Sequence, residues 1–131
     1  MNEKYLICNE GFKNVIKDGT KIGFEVLLRI PYYAGVPLSM IDHIKIAIDG
    51  EDIPSEVIRF NTSCGEVFTL KELETVTTYR WEYGEKARIT VLKEGGLAVG
   101  KHRVEVDIAI RIIYMPKGTS SKAWAELEIA E

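Results

Sequence analysis

Every second side chain in residues 22–30 is apolar, and the stretch reads Ile22-Gly23-Phe24-Glu25-Val26-Leu27-Leu28-Arg29-Ile30. Successive side chains of a strand point to opposite faces, so this period of two predicts a strand with one face on a core. Pro31 follows and is expected to end the strand, because proline has no amide donor for the sheet. The chain is therefore expected to fold from strands.

The same period of two recurs along the chain, in residues 44–48, 87–91, 104–112 and 123–129. Asp49-Gly50 predicts a tight hairpin turn because both residues tolerate positive φ, and a short strand is expected over Val57 to Phe60. The segment 104–112 is long enough to carry a bulge and to serve both sheets of a sandwich. Helical period is absent, apart from one turn expected to be capped by Thr69.

These patterns predict an all-β fold. Strands that recur with turn signals between them are typical of an antiparallel β-sandwich, here expected to be jelly-roll-like with about seven to nine strands. The chain has 131 residues, of which 46% are apolar and 28% charged, and shows no repeat or linker. We therefore expect a single β-sandwich domain over residues 1–131.

The charge balance argues against two classes of partner. With 17 basic and 20 acidic side chains the net charge is −3, which gives no field that would attract nucleic acid or anionic lipid. No apolar run approaches the length of a membrane-spanning helix, and the first residues lack a signal-peptide pattern. We expect a cytoplasmic protein without nucleic-acid or membrane partners, with Cys8 and Cys64 as free thiols.

Candidate catalytic side chains are few. The two histidines, His43 and His102, have no second ligand at a metal-binding spacing, and His102 has no orienting acid or neighbouring nucleophile. Asp42 adjoins His43, but neighbours on a strand point to opposite faces. Glu72 and Glu74 could imitate the carboxylate pair of a glycosidase, but acids on one short turn are more typical of solvated surface. We expect no catalytic residue and no metal or cofactor site on this chain.

One loop has an unusual composition. It reads Pro31-Tyr32-Tyr33-Ala34-Gly35-Val36-Pro37-Leu38-Ser39-Met40-Ile41 and has no charged side chain. Loops normally face water, so an apolar loop has two explanations. Either it folds back to cap one end of the sandwich, or it packs into another protein, where Tyr and Met are enriched.

A second segment alternates aromatic and charged residues, as Tyr79-Arg80-Trp81-Glu82-Tyr83-Gly84-Glu85. On a strand, its three aromatic side chains would share one face. That face either fills the sandwich interior or forms an aromatic platform for a sugar ring or a partner surface.

These segments also carry a family resemblance. The stretch 29–41 with the Asp49-Gly50 hairpin is similar to the small (beta) subunit of bacterial C-glycoside deglycosidases. The match continues in order through 70–75 and 80–85. Gly95-Gly96-Leu97, Gly100-Lys101-His102 and Tyr114-Met115-Pro116 complete it.

The resemblance implies a β-sandwich subunit paired with a larger TIM-barrel alpha subunit. In that family the alpha subunit holds a divalent metal, expected to be manganese, and most of the catalytic groups. The complex cleaves the carbon–carbon bond between a 3-keto sugar and an aromatic, flavonoid-type aglycone. The keto group acidifies the neighbouring C–H, so a base, aided by a metal that stabilises the enolate, can expel the aglycone by elimination. This chain alone is then expected to be inactive.

Within that interpretation the unusual segments are candidate contacts to the alpha subunit. The predicted partner-binding residues are Tyr32, Tyr33, Val36, Pro37, Leu38, Met40, Arg80, Trp81 and Glu82. The alternative is a stand-alone carbohydrate-binding sandwich that uses Tyr79, Trp81 and Tyr83 as a stacking platform.

Overall fold

The structure is a computed structural model and describes residues 4–30, 35–63, 65–82, 85–111 and 120–130. Its strands, in chain order, are β1 (Lys13–Lys17), β2 (Thr20–Leu28), β3 (Val36–Pro37), β4 (Ile41–Ile48), β5 (Glu51–Asp52), β6 (Ile58–Asn61), β7 (Val67–Thr69), β8 (Arg80–Trp81), β9 (Ala87–Leu92), β10 (Gly100–Ile110) and β11 (Ser121–Ile129). A single helical turn forms α1 (Leu70–Leu73), and 3₁₀ turns cover Lys4–Leu6, Leu38–Met40 and Ser55–Val57.

The strands form three antiparallel sheets. A five-stranded sheet has the order β1-β2-β9-β6-β7, and a four-stranded sheet has the order β11-β10-β4-β5. A small two-stranded sheet pairs β3 with β8. Within the described residues no helix is long and apolar enough to cross a membrane.

The two larger sheets share one hydrophobic core. Phe24, Val26 and Leu28 from β2 belong to the same cluster of buried side chains as Ile44 and Ile46 from β4. Their alternation in sequence therefore marks the inner faces, as period two requires. The all-β class and the sandwich are confirmed, while the jelly-roll path stays a prediction.

Two local expectations are confirmed. In the β4–β5 hairpin Ile48 pairs with Glu51, and the turn residues Asp49 and Gly50 have φ of 51° and 84°. At the start of α1, the Thr69 hydroxyl accepts from the Glu72 amide while the Glu72 carboxylate accepts from the Thr69 amide. This capping box accounts for Glu72 as a structural acid.

The long strand β10 departs from one expectation. Its register shifts between Ala109 and Ile110, so the expected bulge is present. Its partners, β4 and β11, lie in the same four-stranded sheet, so the expectation that this strand serves both sheets is wrong. One register shift is enough to bend a strand locally without moving it to a second sheet. Ile112 lies outside the described residues.

The described part of the chain holds eleven strands, more than expected, because β3, β5 and β8 have two residues each. The sequence pattern does not predict strand β1, because its sequence, Lys-Asn-Val-Ile-Lys, does not alternate.

Cys8 is a buried free thiol whose pKa is raised mainly by burial. Cys64 lies outside the described residues.

Candidate functional site

The two unusual segments meet in the two-stranded sheet. Val36 pairs with Trp81, and Pro37 pairs with Arg80. The contact continues beyond the sheet, because the Leu38 amide donates to the Tyr79 carbonyl at 3.0 Å. The sequence singled out both segments but not their pairing, which joins positions more than forty residues apart.

The apolar side chains at this junction point into the core. Leu38 and Trp81 are fully buried, Val36 is 7% exposed, and Met40 packs against the core from a half-buried position. The Trp81 ring meets Phe60 edge-on with centroids 5.5 Å apart, and its Nε1–H donates to the Glu85 carbonyl at 3.0 Å. The described part of the loop therefore follows the capping interpretation.

The exposed rim of the junction is polar. Arg80 donates from Nε to the Glu82 carboxylate at 2.8 Å and from Nη2 to the Gly35 carbonyl at 2.9 Å. A Cβ on Gly35 would lie 2.5 Å from a Glu82 carboxylate oxygen and 3.0 Å from the Glu82 Cα, so a larger residue would displace this carboxylate and crowd the backbone just after β8. Pro37, Met40, Arg80 and Glu82 are the described candidates with accessible surface.

Four of the nine candidate contact residues therefore reach the surface in the described part of the chain. Leu38 and Trp81 are buried by this chain's own core, so they can act on a partner only by supporting the loop above them. Tyr32 and Tyr33 lie outside the described residues. Contact with a partner stays a prediction for the whole set.

The aromatic platform of the alternative interpretation does not form around Trp81. Its ring is fully buried, so no face is available for a sugar. Tyr79 is half-buried and packs on Phe68 with ring centroids 5.7 Å apart. Tyr83 lies outside the described residues. For Trp81, the interior-filling interpretation is confirmed.

His102 has an orienting acid that the sequence did not reveal. Its Nδ1 lies 2.7 Å from the Asp49 carboxylate and its Nε2 lies 2.7 Å from the Ala98 carbonyl. Burial lowers the His102 pKa, but the hydrogen bonds to Ala98 and Asp49 outweigh it and leave the pKa raised. With both nitrogens engaged by acceptors, this ring is a structural clamp rather than a free base.

His43 also pairs with a distant acid. Its Nε2 lies 2.9 Å from Asp107 on β10, and Asp107 also bonds the Ser120 side chain. Burial raises the Asp107 pKa, but the bonds to His43 and Ser120 more than offset it, so the pKa is lowered. Serine and histidine both bond the acid rather than each other, which is not the order that activates a nucleophile.

The described residues form no metal site. Over 4–30, 35–63, 65–82, 85–111 and 120–130, no group of three or more His, Cys, Asp or Glu side chains could hold an ion. The residues present in those ranges thus do not fit a divalent metal, which needs several such ligands.

A further cluster lies on the outer face of the five-stranded sheet, and the sequence did not point to it. The Glu25 side chain is only 9% exposed, and Lys13 Nζ and Arg88 Nε each approach its carboxylate to 3.5 Å. These residues come from β1, β2 and β9, so only the strand register brings them together. They line a groove of about 460 Å³.

Comparison with known proteins decides the family. The model of the C-glycoside deglycosidase beta subunit family matches residues 2–114, which include both segments of the junction. The chain belongs to this family. A C-glycoside deglycosidase beta subunit from Eubacterium cellulosolvens is 32% identical over 115 residues, covering 87% of this chain and 78% of the relative.

Two further relatives support the same assignment. A 3'-dehydrocarminate deglycosidase beta subunit from Microbacterium is 28% identical, covering 77% of this chain and 75% of its own length. A C-glycoside deglycosidase beta subunit from Arthrobacter globiformis is 27% identical over 71% of this chain and 70% of its own. The expected resemblance is confirmed, and the name of the family implies that this chain is one part of a multi-subunit deglycosylation enzyme.

Proposed function

We propose that this chain is the accessory subunit of a heteromeric C-glycoside deglycosidase that cleaves the carbon–carbon bond between a 3-keto sugar and a flavonoid-type aglycone. Its partner is a TIM-barrel alpha subunit, which supplies the catalytic base. The observation that carries the proposal is the family match, because it spans residues 2–114 and so includes the unusual loop. The name of the Microbacterium relative, with its 3'-dehydro substrate, supports the oxidised sugar.

The reaction requires a catalytic base and a metal site, and the described part of this chain provides neither. Elimination needs a base that removes the proton from the carbon next to the ketone. The C–C bond to the aglycone then breaks, and the electron pair of that bond stays with the aglycone, which takes up a proton. In the described residues both histidines are held by carboxylates, and no metal-ligand cluster forms. We therefore assign the base and the divalent metal, manganese, to the alpha subunit. A divalent metal held by that subunit would supply Lewis-acid stabilisation of negative charge on the substrate.

The loop junction is the proposed contact near the mouth of the alpha subunit's pocket. Leu38 and Trp81 hold the loop from the core side, and Arg80 fastens it through the Gly35 carbonyl. Tyr32 and Tyr33 precede this segment in sequence, and together with Met40 they are the proposed anchors. Large aromatic side chains are typical interface hot spots.

The test is co-expression of this chain with the product of the adjacent reading frame, followed by an assay on a 3-keto C-glycoside with added Mn²⁺. We expect the two proteins to purify together and cleavage to require both. Tyr33→Ala should lower assembly and turnover at least tenfold, while Tyr5→Ala, an equal truncation at a tyrosine of a different segment, should change neither more than twofold.

Two results would reject the proposal. Cleavage by this chain alone would place the catalytic groups here. A monomer that binds free sugar and no protein would favour the stand-alone carbohydrate-binding module instead.

A further inference from the structure

The outer face of the four-stranded sheet has the character of a solvent-facing surface. Its register places Lys45 and Lys122 on either side of Asp107, and Arg103 opposite Glu126. Opposite charges directly across neighbouring strands stabilise a face that stays in water. Trp124 lines a groove of about 490 Å³ on this face and is partly exposed, with the Arg103 guanidinium 4.3 Å from its ring centroid, and the groove's lysines are matched by carboxylates.

The outer face of the five-stranded sheet is different. Ile16 is 57% exposed, Val67 54% and Leu92 38%, and all three line the same groove of about 460 Å³. The described residues include six exposed large apolar side chains, and half of them lie here. Clustered exposed apolar side chains mark interaction surfaces, whereas single ones are ordinary.

The charges of this groove do not cancel. Lys13, Arg59 and Arg88 line it together with one carboxylate, Glu25, which leaves a surplus of two positive charges on a chain whose net charge is −3. Glu25 lies between Lys13 and Arg88 and holds both side chains near the sheet. The groove therefore presents positioned cations beside exposed aliphatic side chains.

We propose that this outer face, the groove lined by Ile16, Val67, Leu92, Lys13, Arg59 and Arg88, is a docking surface for the catalytic subunit of the deglycosidase. This inference rests on the proposed function. Charge complementarity requires an apolar patch that carries carboxylates on the other subunit. A second copy of this chain fits less well, because a two-fold contact would set the same positive surplus against itself.

The proposed contact with the catalytic subunit thus covers more of this chain than the loop junction. The four-stranded face with its paired charges is left in water, and the five-stranded face is covered. Because the cations and aliphatic residues come from β1, β6, β7 and β9, the surface exists only in the folded sandwich. The role assigned to the sandwich is thus recognition of the catalytic subunit.

The test measures affinity of the full chain for the purified second subunit by titration calorimetry. Val67→Glu adds a carboxylate to an apolar contact and gives Arg88 a competing partner. We expect at least a tenfold increase in Kd for Val67→Glu and for Ile16→Glu. Val99→Glu is the matched control, because Val99 is 64% exposed and does not line the groove. Its Kd should stay within twofold of wild type, and all three variants should melt within a few degrees of it.

The outcomes separate the two proposals. If wild type binds the second subunit and both groove variants bind equally tightly, the docking face is wrong while the proposed function stands. If this chain alone forms a dimer that Val67→Glu dissociates, a second copy occupies the face and the inference is overturned. If wild type binds no second subunit at all, both proposals fail together.

Discussion

His102 and Asp49 form a charged clamp between the β4–β5 hairpin and the segment that leads into β10. The His102 Nδ1 lies 2.7 Å from the Asp49 carboxylate while Nε2 lies 2.7 Å from the Ala98 carbonyl. Because both partners are acceptors, the two hydrogen bonds form together only when both ring nitrogens carry a proton, which favours the imidazolium. The second Asp49 oxygen accepts from the Arg103 amide at 2.8 Å, which fixes the carboxylate.

The clamp predicts a pH dependence of stability. The His102 pKa is raised, because its hydrogen bonds to Ala98 and Asp49 outweigh the effect of burial. Its contribution to the free energy of unfolding is therefore complete below the unfolded pKa of about 6.5, and it is lost as the pH rises through the folded pKa. The Asp49 pKa is lowered by the bonds from His102 and Arg103, so its contribution is lost as pH falls below the unfolded value of 3.8. We expect His102→Gln to destabilise most near pH 5–6, by about 1 kcal/mol for a partly exposed pair.

The measurement is urea unfolding of wild type and His102→Gln at pH 5.5 and pH 8.5. The difference in the free energy of unfolding should shrink at the higher pH. Asp49→Asn is the companion variant, because asparagine keeps the positive φ of the turn but removes the charge. An equal difference at both pH values would show that the clamp is not charged.

Trp81 is predicted to contribute mainly to the stability of the fold. Its buried ring fills the space against Phe60, so Trp81→Ala should cost about 3–5 kcal/mol of stability. Trp81→Phe keeps an aromatic ring but loses the hydrogen bond to Glu85 and should cost about 1–2 kcal/mol. Chemical denaturation of both variants checks this order. Ordinary mutations cost about 1 kcal/mol, so a loss of less than about 0.5 kcal/mol in the free energy of unfolding of Trp81→Ala would contradict the burial of the ring.

Asn14 ties β1 to the turn before β10 and is itself only 7% exposed. Its amide donates to the Leu97 carbonyl at 2.9 Å, and its carbonyl accepts from the Leu97 amide at 2.7 Å. Asn14→Ala leaves both backbone groups without this partner and should lower stability by about 2–3 kcal/mol. Asn61→Ala also removes two hydrogen bonds, but from a more exposed site, and should cost about 0.5–1 kcal/mol. Equal losses in the two variants would refute this explanation.

Gly35 is predicted to be required for the closed loop junction. A Cβ at this position meets the Glu82 carboxylate first and also crowds the Glu82 Cα, so Gly35→Ala should displace the loop and the Glu82 side chain from Arg80 at a cost of about 1–3 kcal/mol. Amide exchange at the β3–β8 pair should become faster, with little change in the core strands. Glu82→Ala removes the closer clash with the carboxylate but not the contact with the Cα, so Gly35→Ala should remain destabilising in that background, by less than in wild type. Full rescue by Glu82→Ala would disprove the backbone contact.

The inner faces of the sandwich could be predicted because their information is local. In β2 the alternating residues Phe24, Val26 and Leu28 are buried as expected, whereas Ile22 is half-buried, and in β4 Ile44, Ile46 and Ile48 are buried. The Asp49-Gly50 turn and the Thr69 cap are local as well. Strand β1 could not be recognised, since its register shifts between Val15 and Ile16 and a polar Asn14 is its buried inner residue.

The candidate sites could be predicted only in part, because their geometry depends on long-range register. The two unusual segments were visible in sequence, but the pairing of Val36 with Trp81 and the burial of Trp81 were not. The same holds for Glu25, whose partners Lys13 and Arg88 lie on two different strands. The acids that hold His43 and His102 lie more than fifty positions away. Composition signals an unusual segment, whereas only folding decides which of its side chains face out.

The central claim is that this chain completes an enzyme whose catalytic groups lie on another subunit. The most direct measurement is turnover of a 3-keto C-glycoside, with Mn²⁺ present, by this chain alone, by the second subunit alone and by an equimolar mixture. We predict cleavage by the mixture, none by this chain, and a rate for the second subunit at least tenfold below that of the mixture. Cleavage by this chain alone, or full activity of the second subunit without it, would contradict the account.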